Sequence, residues 1–482
     1  MKKNFILGIV MATAGLSACM SGQTREKNIN TDLPPSVKLA QTPPMGWNSF
    51  DSYGVYLHEK AAMENLEAMA TKLKPFGYEY FVIDNGWFGE YELAEGSICS
   101  VEKHASDVNI NEYGILQPSN TYFPNGIKRI ADRAHELGLK FGVHLMRGIP
   151  KKAYQLNTPI KGTNYTARDI ADTVNICNWC GYNYGVDMSK PGAQEFYNSL
   201  VDQMAEWGVD FLKVDDIVPF PKEVEGIAKA VAQASRPIVL SLSPGGNVDE
   251  DALGFFKQGN MLRVTHDIWD DQLGIDQCFE AWKKWGGKEA SGFWIDMDMI
   301  PFGELQIMSP KPESLSLSHQ ELKQVKAKGE MNNVALLSGK GWHRQSEFTK
   351  DQMYTFITMR ALAASPLMMG GNLPTLDDFS FQLITNAEVL ACNQNGVMGT
   401  LKYEKDAIEM WVTPAKDNDV AWVGIFNRSD SDKTFVPSQI FEAAKITLTN
   451  KSVFDIWANQ NFKVSDEATV GPNGVVFLTI KS

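Results

Sequence analysis

Three features predict a (β/α)8 TIM barrel followed by a C-terminal antiparallel β-sandwich domain. One unit recurs along the chain: an amphipathic helical stretch, an aromatic residue or leucine, a glycine, and then an apolar strand. Eight strand candidates follow one another in order, with polar residues gathering at their C-terminal ends. Near residue 398 the helical period gives way to short strands separated by polar turns.

The first strand candidate is Met45-Gly-Trp-Asn48. The recurring unit supplies the next three. Phe76-Gly77 leads into Tyr80-Phe-Val-Ile-Asp84, Leu137-Gly138 into Phe141-Gly-Val-His144, and Trp207-Gly208 into Phe211-Leu-Lys-Val-Asp215. Each glycine stands where the end of a helix needs a left-handed residue. The helices before them carry the 3.6-residue period, at Leu66, Ala70 and Leu73, at Ile127, Ile130, Ala131 and Ala134, and at Phe196, Leu200 and Met204, with Pro191 near the start of the last. Strand, helix and strand in alternation imply parallel units. Pro237–Leu242, Leu262–Asp267, Gly292–Asp296 and Pro366–Met369 complete the eight. An open doubly wound sheet is the competing arrangement, and the absence of a glycine-rich phosphate loop after any strand disfavours it. Beyond residue 398, Ile408–Val412, Val420–Ile425, Ile446–Leu448 and Val475–Ile480 read as strands of a small all-β domain covering one side of the barrel. The expected organisation is a catalytic barrel over 41–397 and the β-sandwich over 398–482.

The N-terminus reads as a processing signal. Lys2-Lys3 precedes an apolar run, Phe5 to Ala18, that is too short to span a bilayer. The run ends in Leu16-Ser-Ala-Cys19, which resembles the lipobox of bacterial lipoproteins. The expectation is a signal peptide over 1–19, a polar tether over 20–40 containing Pro34-Pro35, and an exported protein held on a membrane only by lipid on Cys19, facing the periplasm or the cell surface. A formal net charge of −13 argues against nucleic acid and anionic membrane as partners and suits a neutral substrate. Cys177-Asn-Trp-Cys180 has no second CxxC to complete a zinc site, and the seven histidines form no HxxxH pattern. No metal and no cofactor are expected. Whether Cys177 and Cys180 form a tight disulfide or stay as two thiols is open, as is the oligomeric state.

Two strands end on an aspartate. In the first, Lys213 and Asp215 share a face, with Leu212 and Val214 opposite. In the second, taken as Leu262–Asp267, Arg263, Thr265 and Asp267 share a face, with Leu262, Val264 and His266 opposite. The apolar rows would pack under helices, and the ionic rows would look into the mouth of the barrel. A carboxylate pair with a cation beside each is what glycoside hydrolysis requires.

The motifs around these strands resemble glycoside hydrolase family 27, whose best-known members are α-galactosidases. The resemblance runs from about residue 42 to 400. It rests on Pro43-Pro-Met-Gly-Trp-Asn-Ser49, Ile83-Asp-Asn-Gly-Trp87, Leu212-Lys-Val-Asp215, Arg263-x-x-x-Asp267-Ile, Asp296-Met-Asp-Met299, Ala364-Ser-Pro-Leu367, and Leu383-Ile-Thr-Asn386 through Asn393-Gln-Asn395. It implies a retaining double displacement in which Asp215 is the nucleophile and Asp267 the general acid/base. It also implies that Asp84, Lys213 and Arg263 hold sugar hydroxyls, with Trp47, Phe50, Asn85, Trp87 and Ser243 completing the substrate pocket. Lys213 should favour an ionised Asp215, whereas Asp267 needs a proton, so Arg263 is expected to face the substrate instead. The expected activity is exo-cleavage of terminal α-galactosyl residues.

Three positions depart from the α-galactosidase pattern. The second carboxylate of an Asp-Asp pair is Asn85, a usual Trp is Phe50, and the loop after the fifth strand reads Ser241-Leu-Ser243-Pro-Gly245. The segment from Met146 to Trp179 is also enlarged. These changes spare the chemistry and touch recognition. β-L-Arabinopyranosides, α-N-acetylgalactosaminides and α-glucans are therefore alternative substrates, and a non-catalytic glycan-binding lipoprotein is the alternative of another class. Among other polar residues, Asp216 is expected to face away from the site and Asp270 and Asp271 to start a helix. Asp296, Asp298, His144 and His266 are expected to support rather than catalyse, Trp179 to line the pocket, and Trp342 and Trp422 to be core.

Overall fold

The computed structural model describes residues 39–91, 107–177, 181–243, 248–308, 341–416 and 420–481. The predicted signal, the lipidated Cys19 and nearly all of the tether lie outside these residues, as do Cys99, Trp179, Cys180 and Gly245.

Eight parallel strands form one sheet: β1 (Met45–Asn48), β2 (Tyr80–Ile83), β3 (Lys140–Met146), β4 (Phe211–Asp215), β5 (Val239–Leu242), β6 (Met261–Arg263), β7 (Trp294–Asp296) and β8 (Leu367–Met369). The order β7-β6-β5-β4-β3-β2-β1-β8 follows the chain, with β8 returning beside β1. The ring closes where Ile300, just past β7, pairs in parallel with Met369. Long helices connect the strands: α1 (Glu59–Lys72), α2 (Lys128–Glu136), α3 (Ala193–Glu206), α4 (Pro221–Gln233), α5 (Gln272–Trp285) and α6 (Lys350–Leu362), with α7 (Ala387–Gln394) after β8. Among the described residues, β5 and β6 are bridged by a 3-10 turn, Glu250–Ala252, and a short helix, Leu253–Phe256. The three glycines expected at helix ends are left-handed, with φ of +94° at Gly77, +68° at Gly138 and +87° at Gly208. At Gly138 and Gly208 the chain closes as a Schellman motif, the next residue's N–H reaching back to Ala134 O and Met204 O at 2.8 and 3.0 Å.

Alternation along the strands produces two cores. Outward residues such as Phe81, Val143, Leu212, Val214, Leu240 and Leu262 join the helices in the main core. Inward residues Tyr80, Val82, Phe211, Val239, Met261 and Met368 make a separate apolar layer at the base of the barrel interior. Above it, two residues further along each strand, the interior turns ionic: Asp84, Lys213, Arg263 and Asp296 are all at least nine-tenths buried.

The C-terminal domain is a six-stranded antiparallel sheet, starting with β9 (Thr400–Lys405), β10 (Ile408–Pro414) and β11 (Val420–Asn427) and completed by Val475–Lys481, Ser452–Asp455 and Gln460–Asn461. A two-stranded ribbon, Lys433–Phe435 with Ala468–Val470, and a helix, α8 (Pro437–Ala443), cover its outer face. Two expectations need correction. Ile446–Leu448 is irregular chain after α8, where the Ile446 N–H returns to Phe441 O and closes the helix end. The helix Pro437–Ala443 was not foreseen, although Pro437 sits in its first turn, where proline is tolerated. Both faces of its central strands are buried, whereas Thr400–Lys405 and Gln460–Asn461 at the edges are largely exposed. Met410 and Val412 point to the domain's own core, while Trp411 stacks on Trp282 of α5 with ring centroids 3.7 Å apart. Around that stack Lys283 bonds Glu409 at 2.9 Å, and Arg428 reaches both Asp276 and Glu409 while lying over the Phe279 ring. Trp422, expected in the core, is only half-buried, its indole N–H reaching Glu388 at 3.3 Å.

Candidate active site

The site grows out of the ionic layer. Asp84 follows β2, and its Oδ2 accepts from Asn48 Nδ2 at 2.6 Å and Lys213 Nζ at 2.8 Å, while its Oδ1 accepts from Asn85 N at 2.8 Å. Burial would raise this carboxyl, but Lys213 and the hydrogen bonds outweigh it and hold it below the usual carboxylate range. Burial likewise works against the Lys213 ammonium, yet Asp84 and Asp215 around it keep it more firmly protonated than a free lysine.

Asp215 ends β4 on the same face as Lys213, 8% exposed. Its Oδ1 accepts from Asp216 N at 3.0 Å, and its Oδ2 lies 3.4 Å from His144 Nε2. Desolvation opposes its charge, but His144, Arg263 and Lys213 more than offset that and hold it far below an ordinary aspartate. The balance favours the ionised carboxylate despite its burial.

The second aspartate departs from expectation. β6 ends at Arg263, because Val264 N makes the last ladder bond, to Asp296 O at 2.9 Å, and the chain then leaves the sheet. Asp267 sits on the following loop rather than on a strand face, with its side chain 57% exposed, and His266 is exposed rather than part of an apolar row. The loop is fixed by Asp298, whose Oδ2 accepts from Ile268 N at 2.9 Å. Arg263 does not point away from its neighbour as expected. Its Nη2 pairs with Asp267 Oδ1 at 2.9 Å and its Nη1 with Asp298 Oδ1 at 3.3 Å.

Among the recognition residues, Asn85 and Ser243 are buried at the strand ends and Phe50 is half-buried over the interior apolar layer. Asn85 Oδ1 accepts from Tyr182 OH at 2.8 Å. Among the described residues, buried Ser243 Oγ has no hydrogen-bond partner. Of the three tryptophans expected in the pocket, Trp179 lies outside the described residues and the other two are elsewhere. Trp47 faces the helices, stacked on Phe81, with its indole N–H given to Gly371 O at 2.8 Å. Trp87 packs edge-on to Phe88 and Trp207 and donates to His144 O at 2.8 Å. Trp47 is on the outward face of β1, where a large aromatic is the ordinary filling of a barrel wall, whereas Trp87 lies in the turn after β2.

The supporting residues fall largely where expected. Asp271 caps α5, accepting from Gly274 N at 2.7 Å, and buried Asp270 is held by Arg344. His144 is fully buried, and Asp296 Oδ1 accepts from Asp298 N at 2.9 Å. Trp342 is buried. Four groups escaped sequence reasoning: Asn48, Tyr182, Arg147 and Asp51. Asn48 could have been found, since it continues the inward face from Gly46. Tyr182 could not, because it arrives from the distant end of the enlarged segment after β3. Asp51 is 1% exposed with neither carboxylate oxygen hydrogen-bonded, and burial together with Asp298 pushes its pKa well above normal. Glycine is required at position 370 beside it, since a Cβ there would come within 1.9 Å of Asp51 Oδ2.

Similar proteins share this architecture from end to end. Residues 50–366 match the family profile described as the glycosyl hydrolases family 31 TIM-barrel domain, and residues 405–480 match the alpha galactosidase C-terminal beta sandwich domain. A family 27 β-L-arabinopyranosidase from Geobacillus stearothermophilus is 36% identical, and the match covers 93% of this chain and 98% of that one with a TM-score of 0.79. The chain belongs to glycoside hydrolase family 27. A structure of a variant of that enzyme in complex with arabinose superposes with a TM-score of 0.80. Curated relatives include alpha-galactosidases of Cyamopsis tetragonoloba, 27% identical over 83% of this chain and 76% of that protein, and of Coffea arabica, 27% identical over 88% and 89%. As a member of family 27 the protein is a glycosidase, with carbohydrate as its substrate.

One titration follows from the geometry. Burial, reinforced by Asp298, pushes Asp296 up to about 6 from 3.8, despite Arg360 and Arg263 nearby. A carboxyl raised on folding costs nothing below about pH 4, where both states are protonated, and destabilises the native state as pH rises from there through 6. Asp296→Asn keeps the acceptor for Asp298 N and removes that penalty. Its stability relative to wild type in urea titrations should grow by up to about 3 kcal/mol between pH 4 and pH 7. A pH-independent difference would show that Asp296 is ionised throughout.

Proposed function

We propose that the protein is a retaining exo-glycosidase for terminal galacto-configured pyranosides, α-D-galactosides in the first place. The observation that carries this is Asp215, a buried and strongly ionised carboxylate between Lys213 and Arg263, with Asp267 on the far side of the same arginine. In this reading Asp215 attacks the anomeric carbon while Asp267 gives its proton to the departing glycosidic oxygen. Asp267 then takes a proton from the water that releases the sugar. Asp267 must leave its pair with Arg263 to carry a proton, and sugar hydroxyls taking over the guanidinium would release it. Asp84, Asn48 and Lys213 form a closed polar floor, which supports binding of a single terminal ring. A non-catalytic glycan binder has no use for a nucleophile kept ionised at the cost of burial.

Asp267→Ala should lower kcat on 4-nitrophenyl α-D-galactopyranoside by about 10²–10⁴-fold, the usual weight of general acid/base catalysis. Azide should restore turnover and yield the α-configured galactosyl azide. No rescue in a folded variant would remove Asp267 from the acid/base role.

A second reading, β-L-arabinopyranoside hydrolysis, is favoured by Asn85. That sugar is galactose without its C6 hydroxymethyl group. The resemblance puts Asn85 where C4 and C6 substituents are judged, and Tyr182 already occupies its carbonyl. A neutral, partly engaged amide grips a hydroxymethyl group less well than a carboxylate would. Asn85→Asp should shift the ratio of kcat/KM on the two aryl glycosides about tenfold towards the galactoside. An unchanged ratio would place the discrimination elsewhere.

The N-terminal sequence supports a lipid-anchored, exported hydrolase. Cys19→Ala should move the activity from the membrane fraction to the soluble fraction, and activity that stays with membranes would count against the anchor.

A further inference from the structure

We propose that Arg147 is a positioning residue that holds the nucleophile through its neighbour Asp216 and thereby selects which carboxylate oxygen attacks. This rests on the reading of Asp215 as the nucleophile.

Asp216 is an aspartate in the left-handed region, with φ +58°, where L residues seldom settle. Its backbone N–H meets Asp215 Oδ1, 3.0 Å away. Such a backbone needs something to hold it, and Arg147 does. Its Nε bonds Asp216 O at 3.0 Å and Oδ2 at 3.1 Å, and its Nη2 bonds Oδ2 at 2.9 Å. The arginine is itself fully enclosed, with its guanidinium 3.5 Å above the Phe220 ring. Nη1 bonds Glu223 Oε1 at 2.7 Å and Nη2 bonds Asn175 O at 2.9 Å. Glu223 is fixed in turn by Tyr197 OH at 2.5 Å and Val186 N at 3.1 Å, and the Cys177 thiol also bonds Asp216. Arg147 N donates to Asp215 O at 2.9 Å, so one residue grips the main chain at both Asp215 and Asp216.

None of these groups faces the sugar. Their combined effect is to tie Oδ1 to a backbone donor and leave Oδ2, beside His144, as the oxygen that bonds to the anomeric carbon while the aglycone oxygen departs with the proton of Asp267. A carboxylate swung out of line loses rate while ground-state binding is untouched.

The test uses the full chain and an aryl glycoside that the wild type cleaves, with kcat read against the inhibition constant of the free sugar product. Arg147→Lys cannot make the forked contact and should lose about 10²-fold in kcat with the inhibition constant within about twofold. Where that variant does not fold, Asp216→Gly carries the test. Glycine accepts the left-handed backbone and keeps the N–H but gives Arg147 no carboxylate, so kcat should fall about tenfold or more at wild-type Tm. Asp216→Asn, which keeps an acceptor oxygen and tolerates the same φ, should recover most of that loss. Wild-type kcat in folded Asp216→Gly, or a loss confined to sugar binding, overturns the proposal. Turnover surviving Asp215→Ala would instead overturn the nucleophile reading beneath it.

Discussion

The Lys213 ammonium, held between Asp84 and Asp215 inside the barrel, is the constraint on which the site depends. Unpaired charge cannot be kept in such an interior, and removing one partner of a buried pair typically costs about 3–5 kcal/mol. The contact of Lys213 with Asp84 at 2.8 Å therefore fixes more than one bond. It places the floor of the sugar pocket, anchors Asn48 through the same carboxylate oxygen, and keeps positive potential beside Asp215. The apolar layer of Tyr80, Phe211, Val239 and Met261 beneath it seals the barrel from below, so the ions are wet only from the mouth.

Charge is balanced differently at the two aspartates. Asp215 is buried, surrounded by cations and a backbone donor, and shaped for permanent ionisation. Asp267 lies on a loop, largely exposed, with one oxygen on Arg263. The contrast suits the proposed roles: a nucleophile benefits from a fixed geometry and a fixed charge state, whereas a group that must give and take a proton benefits from a partner it can leave. The same arginine also holds Asp298, which pins the loop beside Asp267 through Ile268 N.

The barrel was legible because its signals are local. Alternation at Lys213 and Asp215, the glycines at 77, 138 and 208, and the apolar stripes of the helices each depend on residues within a turn or two. The errors came where local rules met a partner far along the chain. β6 stops at Arg263 because its neighbour β7 offers no further carbonyl in register, which nothing in Val264–Asp267 announces. Trp47 and Trp87 were placed in the pocket for their chemistry, although strand parity already pointed Trp47 outward; Trp87, in the turn after β2, had no parity to read. Ile446–Leu448 has strand composition but serves as the return from a helix. Tyr182 and Arg147 were invisible because their partners are distant residues, and Asp51 because the segment that buries it, at Gly370, is far along the chain.

By itself, the sequence determined the (β/α)8 succession, the small β domain after it, and the identity of the carboxylates and cations brought to the strand ends. Period and side-chain type suffice for that, because burying apolar rows leaves few alternatives. Only the tertiary structure decided how those charges are shared. It paired Arg263 with Asp267, gave Asn85 to Tyr182, and set the Asp216 backbone under Arg147. Those choices depend on distances between segments that approach only when the barrel closes, and electrostatic interactions in a desolvated interior change with every ångström.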